Sequence, residues 1–289
     1  MIRNLSPLCI ICCFIFNATA QNIAKTDSTL KFDQRFTKCE RKWVVLPKKD
    51  TDKSYLFGFI YIDSQAGFTF DLAGNFSVGE NNHYVPDTSM VANTRIISRI
   101  DRNWRKVALL PPAHFEELHI KLQLDRIKSY YNYTDTVQHN FRWGFIYNDL
   151  DQCDTALVYL NKAYVAKPHY PGLEFELIFA YNALARYNDA LNVINTALQN
   201  DPKNVLYYRE LGYAYLQKKD YDKSITAYKQ GIDMCTDKQN DAKSEMAINM
   251  ANAYKSAGNL DEYKNWGNKA KGWATPGSSL YKFIVGQGF

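Results

Sequence analysis

Residues 205–231 read VLYYRELGYAYLQKKDYDKSITAYKQG. The pattern inside this stretch recurs along the chain. Tyr215 has counterparts at Tyr147, Tyr181 and Tyr254, with spacings of 34, 34 and 39 residues. Gly231 has counterparts at Ala163, Ala197 and Ala270, with the same spacings. Ser224 aligns with Ala156 and Ala190, and Gly212 with Gly144 and Ala251. Pro168 and Pro202 close the first two units. Four units result: 137–170, 171–204, 205–243 and 244–277, the third carrying extra residues between Cys235 and Lys243. A fixed period of this length marks a row of supersecondary units, each too small to hide its apolar face alone, stacked on a continuous core.

The motif resembles the tetratricopeptide repeat family. That 34-residue unit carries a large residue at position 4, Leu-Gly at 7 and 8, Tyr at 11, Ala at 20, an aromatic at 24, Ala at 27 and Pro at 32. The third unit matches best, through Tyr208, Leu211, Gly212, Tyr215, Ser224, Tyr228 and Gly231. The resemblance covers about half of the chain and implies two antiparallel helices per unit. Positions 8, 20 and 27 are where the backbones approach most closely, which favours Gly, Ala or Ser. The Tyr at position 11 wedges between neighbouring helices, and burying such a ring contributes about 1.5–3 kcal/mol. Three positions depart from the pattern: Ile178 at position 8 of the second unit, and Tyr263 and Gly267 at positions 20 and 24 of the last. The last unit is therefore expected to pack loosely or at an altered angle.

The resemblance also implies a ligand surface. In the family the first helix of each pair lines a concave groove, through positions 2, 5, 9, 12 and 13. Carried over by position, the lining comprises Phe141, Phe145, Asn148, Phe175, Phe179, Asn182, Arg209, Tyr213, Asn252 and Lys255. Some members grip a C-terminal carboxylate with Lys and Asn at positions 5 and 9. Phe occupies both positions in the first two units here, so that clamp is absent. The expected ligand is a protein or peptide segment with apolar anchors, its backbone bonded by the three Asn. The competing expectation is a stripe covered by the chain's own β region, linking segment or apolar tail, since monomers rarely leave such patches bare.

Ahead of the repeats, residues 42–110 read as a small antiparallel β domain of five or six strands. Trp43-Val44-Val45-Leu46 and Tyr55 to Ile62 are β-branched and aromatic runs bounded by turn residues. The second run is apolar on both alternating faces and predicts a central strand. Phe68, Phe70 and Leu72 alternate with polar residues, and Ala73-Gly74-Asn75 reads as a turn into Phe76-Ser77-Val78. Residues 94–98 and 104–110 supply two further strands. Pro111-Pro112 ends the domain, and Leu118, Leu122 and Ile127 with acidic Glu116 and Glu117 predict a helix over 113–131, within a linking segment 111–136. Residues 21–41 form an N-terminal extension. Residues 278–289 form an apolar tail with Leu280, Tyr281, Phe283, Ile284 and Phe289. The fold class is thus α+β: a β domain, then an all-α solenoid of about four helix-turn-helix repeats.

The 289 residues are 46% hydrophobic and 22% charged, with a formal net charge of +5, which excludes disordered, collagenous and polytopic-membrane classes. Arg3, the apolar run Pro7–Phe16 and Ala18-Thr19-Ala20 read as a secretory signal over 1–20, with the mature chain starting at Gln21. The run is shorter than the roughly 20 residues of a membrane-spanning helix. Cys9, Cys12 and Cys13 follow Leu8, Ile11 and Cys12, not the small residue that lipid attachment needs. The expected location is periplasmic or secreted, and repeats behind such a signal point to a bacterial envelope. Cys39, Cys153 and Cys235 remain after processing, allowing at most one internal disulfide and leaving its pairing open.

The charge is evenly spread, without the concentrated basic face of a nucleic-acid binder. His114-Phe115-Glu116-Glu117-Leu118-His119 has its two histidines five apart, about 500 degrees around a helix, so they do not share a metal. His83, His139 and His169 are scattered, and no nucleophile elbow or phosphate loop is present. No catalytic residue, metal or cofactor is assigned. The expected function is that of a non-enzymatic interaction scaffold. The alternatives are a hydrolase or glycan-binding activity in residues 40–110 with the repeats as adaptor, and an envelope assembly factor.

Overall fold

The computed structural model describes residues 30–87 and 95–289. The signal segment and residues 21–29 of the extension lie outside the described residues. The chain divides into two compact units, one running to Gln152 and the other comprising Cys153–Phe289 in its described part.

The first unit is built on an antiparallel sheet. Its strands are β1 (Lys42–Val45), β2 (Tyr55–Asp63), β3 (Gly67–Val78), β4 (Tyr84–Pro86), β5 (Ile96–Arg99) and β6 (Ala108–Leu109). The order is β4-β3-β2-β1-β6, with β5 pairing the first half of β3 and β4 pairing its second half. β2 is central, and every residue from Phe57 to Ile62 is buried, as its two-sided apolar pattern requires. One face carries Trp43, Val45, Tyr55, Phe57, Phe59 and Tyr61 into a core shared with Phe76, Tyr84, Leu118 and Ile127. On the opposite face Phe68 meets Phe36 edge to face, and Trp104 packs on both Phe36 and Phe70.

Two local expectations change. Ala73-Gly74-Asn75 is no turn: β3 runs straight through it, and the register jumps from Phe57↔Gly74 to Gly58↔Leu72, leaving Ala73 as the extra residue of a β-bulge. A Gly inside a strand pattern signals a bulge as readily as a turn. Nor do residues 113–131 form a continuous helix. Only short 3-10 turns occur, at Pro112–His114 and Asp125–Tyr131. The helix is broken at His119, whose φ is +53°, and by extended Leu124. Tertiary contacts take the segment apart. Leu118 and Ile127 both drop into the sheet core, and the Trp43 indole Nε1 donates to the Lys121 carbonyl at 2.7 Å.

The first helix, α1 (Thr136–Asp149), belongs to this unit although the repeat pattern assigns it to 137–170. Its signature residue explains why. The Tyr147 hydroxyl donates to Glu40 Oε2 at 2.7 Å, and the Trp143 indole and the Tyr131 hydroxyl donate to Oε1, each at 3.1 Å. The Tyr147 ring meets Phe68 edge to face at 5.5 Å.

The second unit contains α2 (Cys153–Ala166), α3 (Leu173–Ala183), α4 (Tyr187–Asn200), α5 (Val205–Gln217), α6 (Tyr221–Met234), α7 (Asn240–Ser256), α8 (Leu260–Trp273) and α9 (Ser279–Gly286). Among these helices α3 packs on α4, α5 on α6 and α7 on α8, and α7 begins at Asn240, within the expected third unit 205–243. The periodicity reappears in the backbone. The carbonyls of Tyr147, Tyr181, Tyr215 and Tyr254 each accept an N–H from five residues on: Gln152, Arg186, Asp220 and Asn259. Just before each donor sits a left-handed residue, Asp151, Ala185, Lys219 or Gly258. These are helix-ending Schellman-type bonds, and they close the turn between the two helices of every unit.

The small positions serve close approach. A Cβ on Gly212 would stand 2.5 Å from the Tyr228 ring. The buried Ser224 hydroxyl donates to the Gly212 carbonyl at 2.8 Å, so this Ser supplies a bond that Ala would not. Ala156, Ala163, Ala190, Ala197 and Ala270 are fully buried, and so is Ile178, which the second unit accommodates. The last unit is not loosely packed. Phe289 lies over Gly267, where any Cβ would overlap its ring, and meets Tyr263 at 4.9 Å. The Lys271 ammonium donates to the Phe289 backbone oxygen at 2.9 Å. Ile284 is buried among α7 and α8 residues, with Leu280, Tyr281 and Phe283 packed beside it. No disulfide joins Cys39, Cys153 and Cys235 to one another. Among the described residues no helix is long and apolar enough to cross a membrane.

Candidate interaction surface of the repeat helices

The ten lining positions divide between the units. Phe141, Phe145 and Asn148 lie on α1, within the sheet unit. Phe175, Phe179 and Asn182 lie on α3, Arg209 and Tyr213 on α5, and Asn252 and Lys255 on α7, all within the helical unit. Of these, Asn148, Asn182 and Arg209 are buried, Lys255 is exposed, and the other six are partly exposed.

Two of the buried members, Asn182 and Arg209, form a polar ladder that ties one repeat to the next. The Asn182 amide donates to Glu210, to its carbonyl at 3.3 Å and to Oε2 at 3.0 Å. Arg209 grips Glu210 Oε1 through Nε at 3.1 Å and Nη2 at 2.9 Å, and reaches Glu245 Oε2 through Nη1 at 3.3 Å. Its guanidinium also sits 5.5 Å from the centre of the Phe175 ring. One rung lower, the Tyr207 hydroxyl donates to Glu174 Oε2 at 3.3 Å, and His169 Nδ1 lies 2.6 Å from Glu174 Oε1. Every rung crosses a repeat boundary or stands beside one. The expectation of three asparagines reaching for a ligand backbone is therefore altered at Asn182, whose amide N–H is committed to Glu210. Its buried Oδ1 has no partner.

The electrostatics follow from burial. Dehydration pushes the Glu245 carboxyl up, and the Arg209 charge pulls it back only in part. Burial alone would lower Arg209, but Glu245 and Glu210 outweigh it and hold the guanidinium more firmly protonated than usual. The Tyr228 hydroxyl is buried without a partner beside this cluster, and its pKa is driven up by burial and then by the two carboxylates. Glu174, Glu210 and Glu245 were not singled out by the sequence pattern, and Tyr228 was read there only as the aromatic of position 24. The only signal available was an acidic residue beside Arg209 and another at position 2 of the following unit.

The histidine tract behaves differently from a metal helix. Glu117 Oε2 lies 2.8 Å from His114 Nδ1 and Oε1 lies 2.8 Å from His83 Nδ1, while the Tyr84 backbone N–H donates to Oε2 at 2.8 Å. His119 is not part of this arrangement in any recorded contact. Among the described residues no group of side chains is arranged to hold a metal ion.

Comparison with known proteins follows the geometry. Residues 207–238, which span α5 and α6, match the family profile described as tetratricopeptide repeat. This segment is a tetratricopeptide repeat. No curated protein matches the chain. Among solved structures, MamA 41-end from Desulfovibrio magneticus RS-1 is similar over 51% of this chain and 81% of its own, at 14% identity and a TM-score of 0.46. A second MamA crystal structure is similar over 51% of this chain and 82% of its own, at 22% identity and a TM-score of 0.44. The region ahead of the repeats matches no family. The tetratricopeptide repeat at 207–238 holds the central rungs of the polar ladder, Arg209, Glu210 and Tyr228.

Proposed function

We propose that the chain is an exported, non-enzymatic interaction protein whose repeat helices hold a segment of another protein. The observation that carries this reading is the tetratricopeptide repeat at 207–238, set in a row of helical hairpins with partly exposed aromatic side chains on successive first helices. The partly exposed rings of Phe175, Phe179 and Tyr213 offer apolar contact to anchor residues, and Asn252 and Lys255 a polar end. The ladder beneath them fixes the spacing of the repeats, so the surface is preorganised rather than shaped by the ligand. The proposed location is the periplasm or the extracellular space, with the mature chain beginning at Gln21.

The test replaces Tyr213 with the photo-crosslinking residue p-benzoylphenylalanine in the full chain, in its own cells. Val165 on α2, 84% exposed, serves as the control site. A discrete protein adduct from position 213 and none from 165 is the expected result. No adduct, or the same adducts from both, overturns the reading. An outer-membrane protein in that adduct would make the chain an envelope assembly factor. Amino-terminal sequencing of the exported protein checks the start at Gln21.

A further inference from the structure

The sheet unit contains a cavity of about 350 Å³ between the β2–β3 turn, the β5 end and α1. That volume falls in the range of small-molecule sites. Its floor is apolar: Phe68, Ile100, Ile146 and Leu150 are each nearly fully buried, and Phe145 lies half-buried beside them. Its rim holds three arginines, Arg99, Arg102 and Arg142.

The arginines are not equally satisfied. Arg102 donates to the Asp149 carbonyl at 2.9 Å and has the Asp149 and Asp151 carboxylates at 3.8 Å. Arg142 donates to two neutral carbonyls, Ser64 at 2.6 Å and Gln65 at 3.3 Å, and has no carboxylate in salt-bridge range among the described residues. Its guanidinium lies 5.1 Å from the centre of the Phe145 ring. Arg99 has no recorded acceptor among the described residues. The remaining acid of the rim, Asp101, is turned to its own loop and accepts the Asn103 N–H at 2.8 Å.

Two guanidiniums therefore line one largely apolar cavity, and among the described residues neither has a carboxylate in salt-bridge range, although Asp101 and Asp149 also line it. Burial and then the Arg99 charge disfavour the cationic form of Arg142, and the more distant Asp149 and Asp63 carboxylates offset them only in part. Guanidinium forks recognise planar carboxylates, and charges taken out of water are normally paired. We propose that this cavity binds a small carboxylate bearing an aryl or branched alkyl group, its anionic head between Arg99 and Arg142 and its apolar body on Phe145, Ile100 and Ile146. The site is independent of the repeat surface of the helical unit, and its loss leaves that reading untouched.

The probe is 3-phenylpropionate, titrated into the full-length protein and followed by calorimetry and by the methyl resonances of Ile100 and Ile146. Saturable binding in the millimolar range or tighter, with both methyls shifting, is the expected result. Its uncharged isostere 3-phenylpropionamide is expected to bind at least about tenfold more weakly, and Arg99→Gln to weaken the acid by about the same factor. Arg99 is exposed and its side chain has no partner among the described residues, so this variant is expected to fold; Arg142→Gln, which also loses the two turn carbonyls, is the second variant. A parallel arm with N-acetyl-Leu-Phe distinguishes a free acid from the terminal residue of a peptide, by which of the two binds tighter. Equal binding of acid and amide, an unchanged affinity in Arg99→Gln, no saturation, or shifts that avoid Ile100 and Ile146 would each overturn the proposal.

Discussion

Replacing Arg209 with Met removes the cation that two carboxylates in the helical unit share. Met fills much of the same volume, so the cavity contribution is small. What is lost is the pair of hydrogen bonds to Glu210 and the one hydrogen bond to Glu245. Deleting one partner of a buried ionic cluster costs about 3–5 kcal/mol, because the remaining charges stay dehydrated. Glu210 keeps the Asn182 amide, which places the expected loss near the lower end, about 3 kcal/mol. For a chain of this size that corresponds to a fall in Tm of about 6–12 °C, read by the helical circular dichroism signal of the full-length protein. The loss depends on pH in a defined direction. Glu245 already sits above its ordinary value, by burial first and with Arg209 opposing, and without Arg209 it rises further. A carboxyl whose folded pKa exceeds its unfolded one binds protons preferentially in the folded state, so the deficit shrinks on acidification and widens as pH rises. The triple variant Arg209→Met, Glu210→Gln, Glu245→Gln removes the orphaned charges and regains most of the stability. A single variant within about 1 kcal/mol of wild type at neutral pH would refute the reasoning, since that is the worth of an exposed pair. A deficit that grows on acidification would do the same.

Ala185→Gly relieves a left-handed backbone in the α3–α4 turn and is expected to raise stability by up to about 1 kcal/mol, seen as a higher midpoint in urea; a fall would show that the Cβ packs usefully. Phe289→Ala empties the notch above Gly267 and is expected to cost about 1–3 kcal/mol, with faster amide exchange confined to α8 and α9; unchanged exchange there would rule out the capping role. Glu117 is held down, from 4.5 to about 2, by the Tyr84 N–H and then by His114 and His83 against the opposing effect of burial. Its stabilisation is therefore present above its ordinary pKa and lost as pH falls toward 2, so Glu117→Gln should melt with a shallower acid dependence than wild type over that window.

The repeat half was legible because its constraint is local and periodic. A small residue is needed wherever two backbones meet, and Gly212 and Ser224 declare themselves on that ground. The left-handed residues that close each hairpin were only partly legible: Asp151 and Gly258 are residue types that favour turns, but Ala185 and Lys219 carry no turn signal. Residues 113–131 misled for the opposite reason: the apolar spacing was real, but Leu118 and Ile127 meet one sheet face from separate turns. At the candidate surface, position alone identified Arg209 and Asn182. The Arg209 partner Glu245 and the Asn182 partner Glu210 each lie in the next repeat, and only stacking brings them within reach. The cavity arginines Arg99 and Arg142 come from a strand and a helix far apart in sequence and share no motif.

The three donors that converge on Glu40 place a seam inside what the sequence presents as one repeat. Domain exchange and proteolytic dissection both rely on choosing a cut that severs few bonds. A splice at 136, where the strand pattern gives way to the repeats, would carry Trp143 and Tyr147 away from their carboxylate and strip the sheet of a helix. A splice after Gln152 keeps those bonds whole, so the transplantable cassette begins with the second helix of the first hairpin.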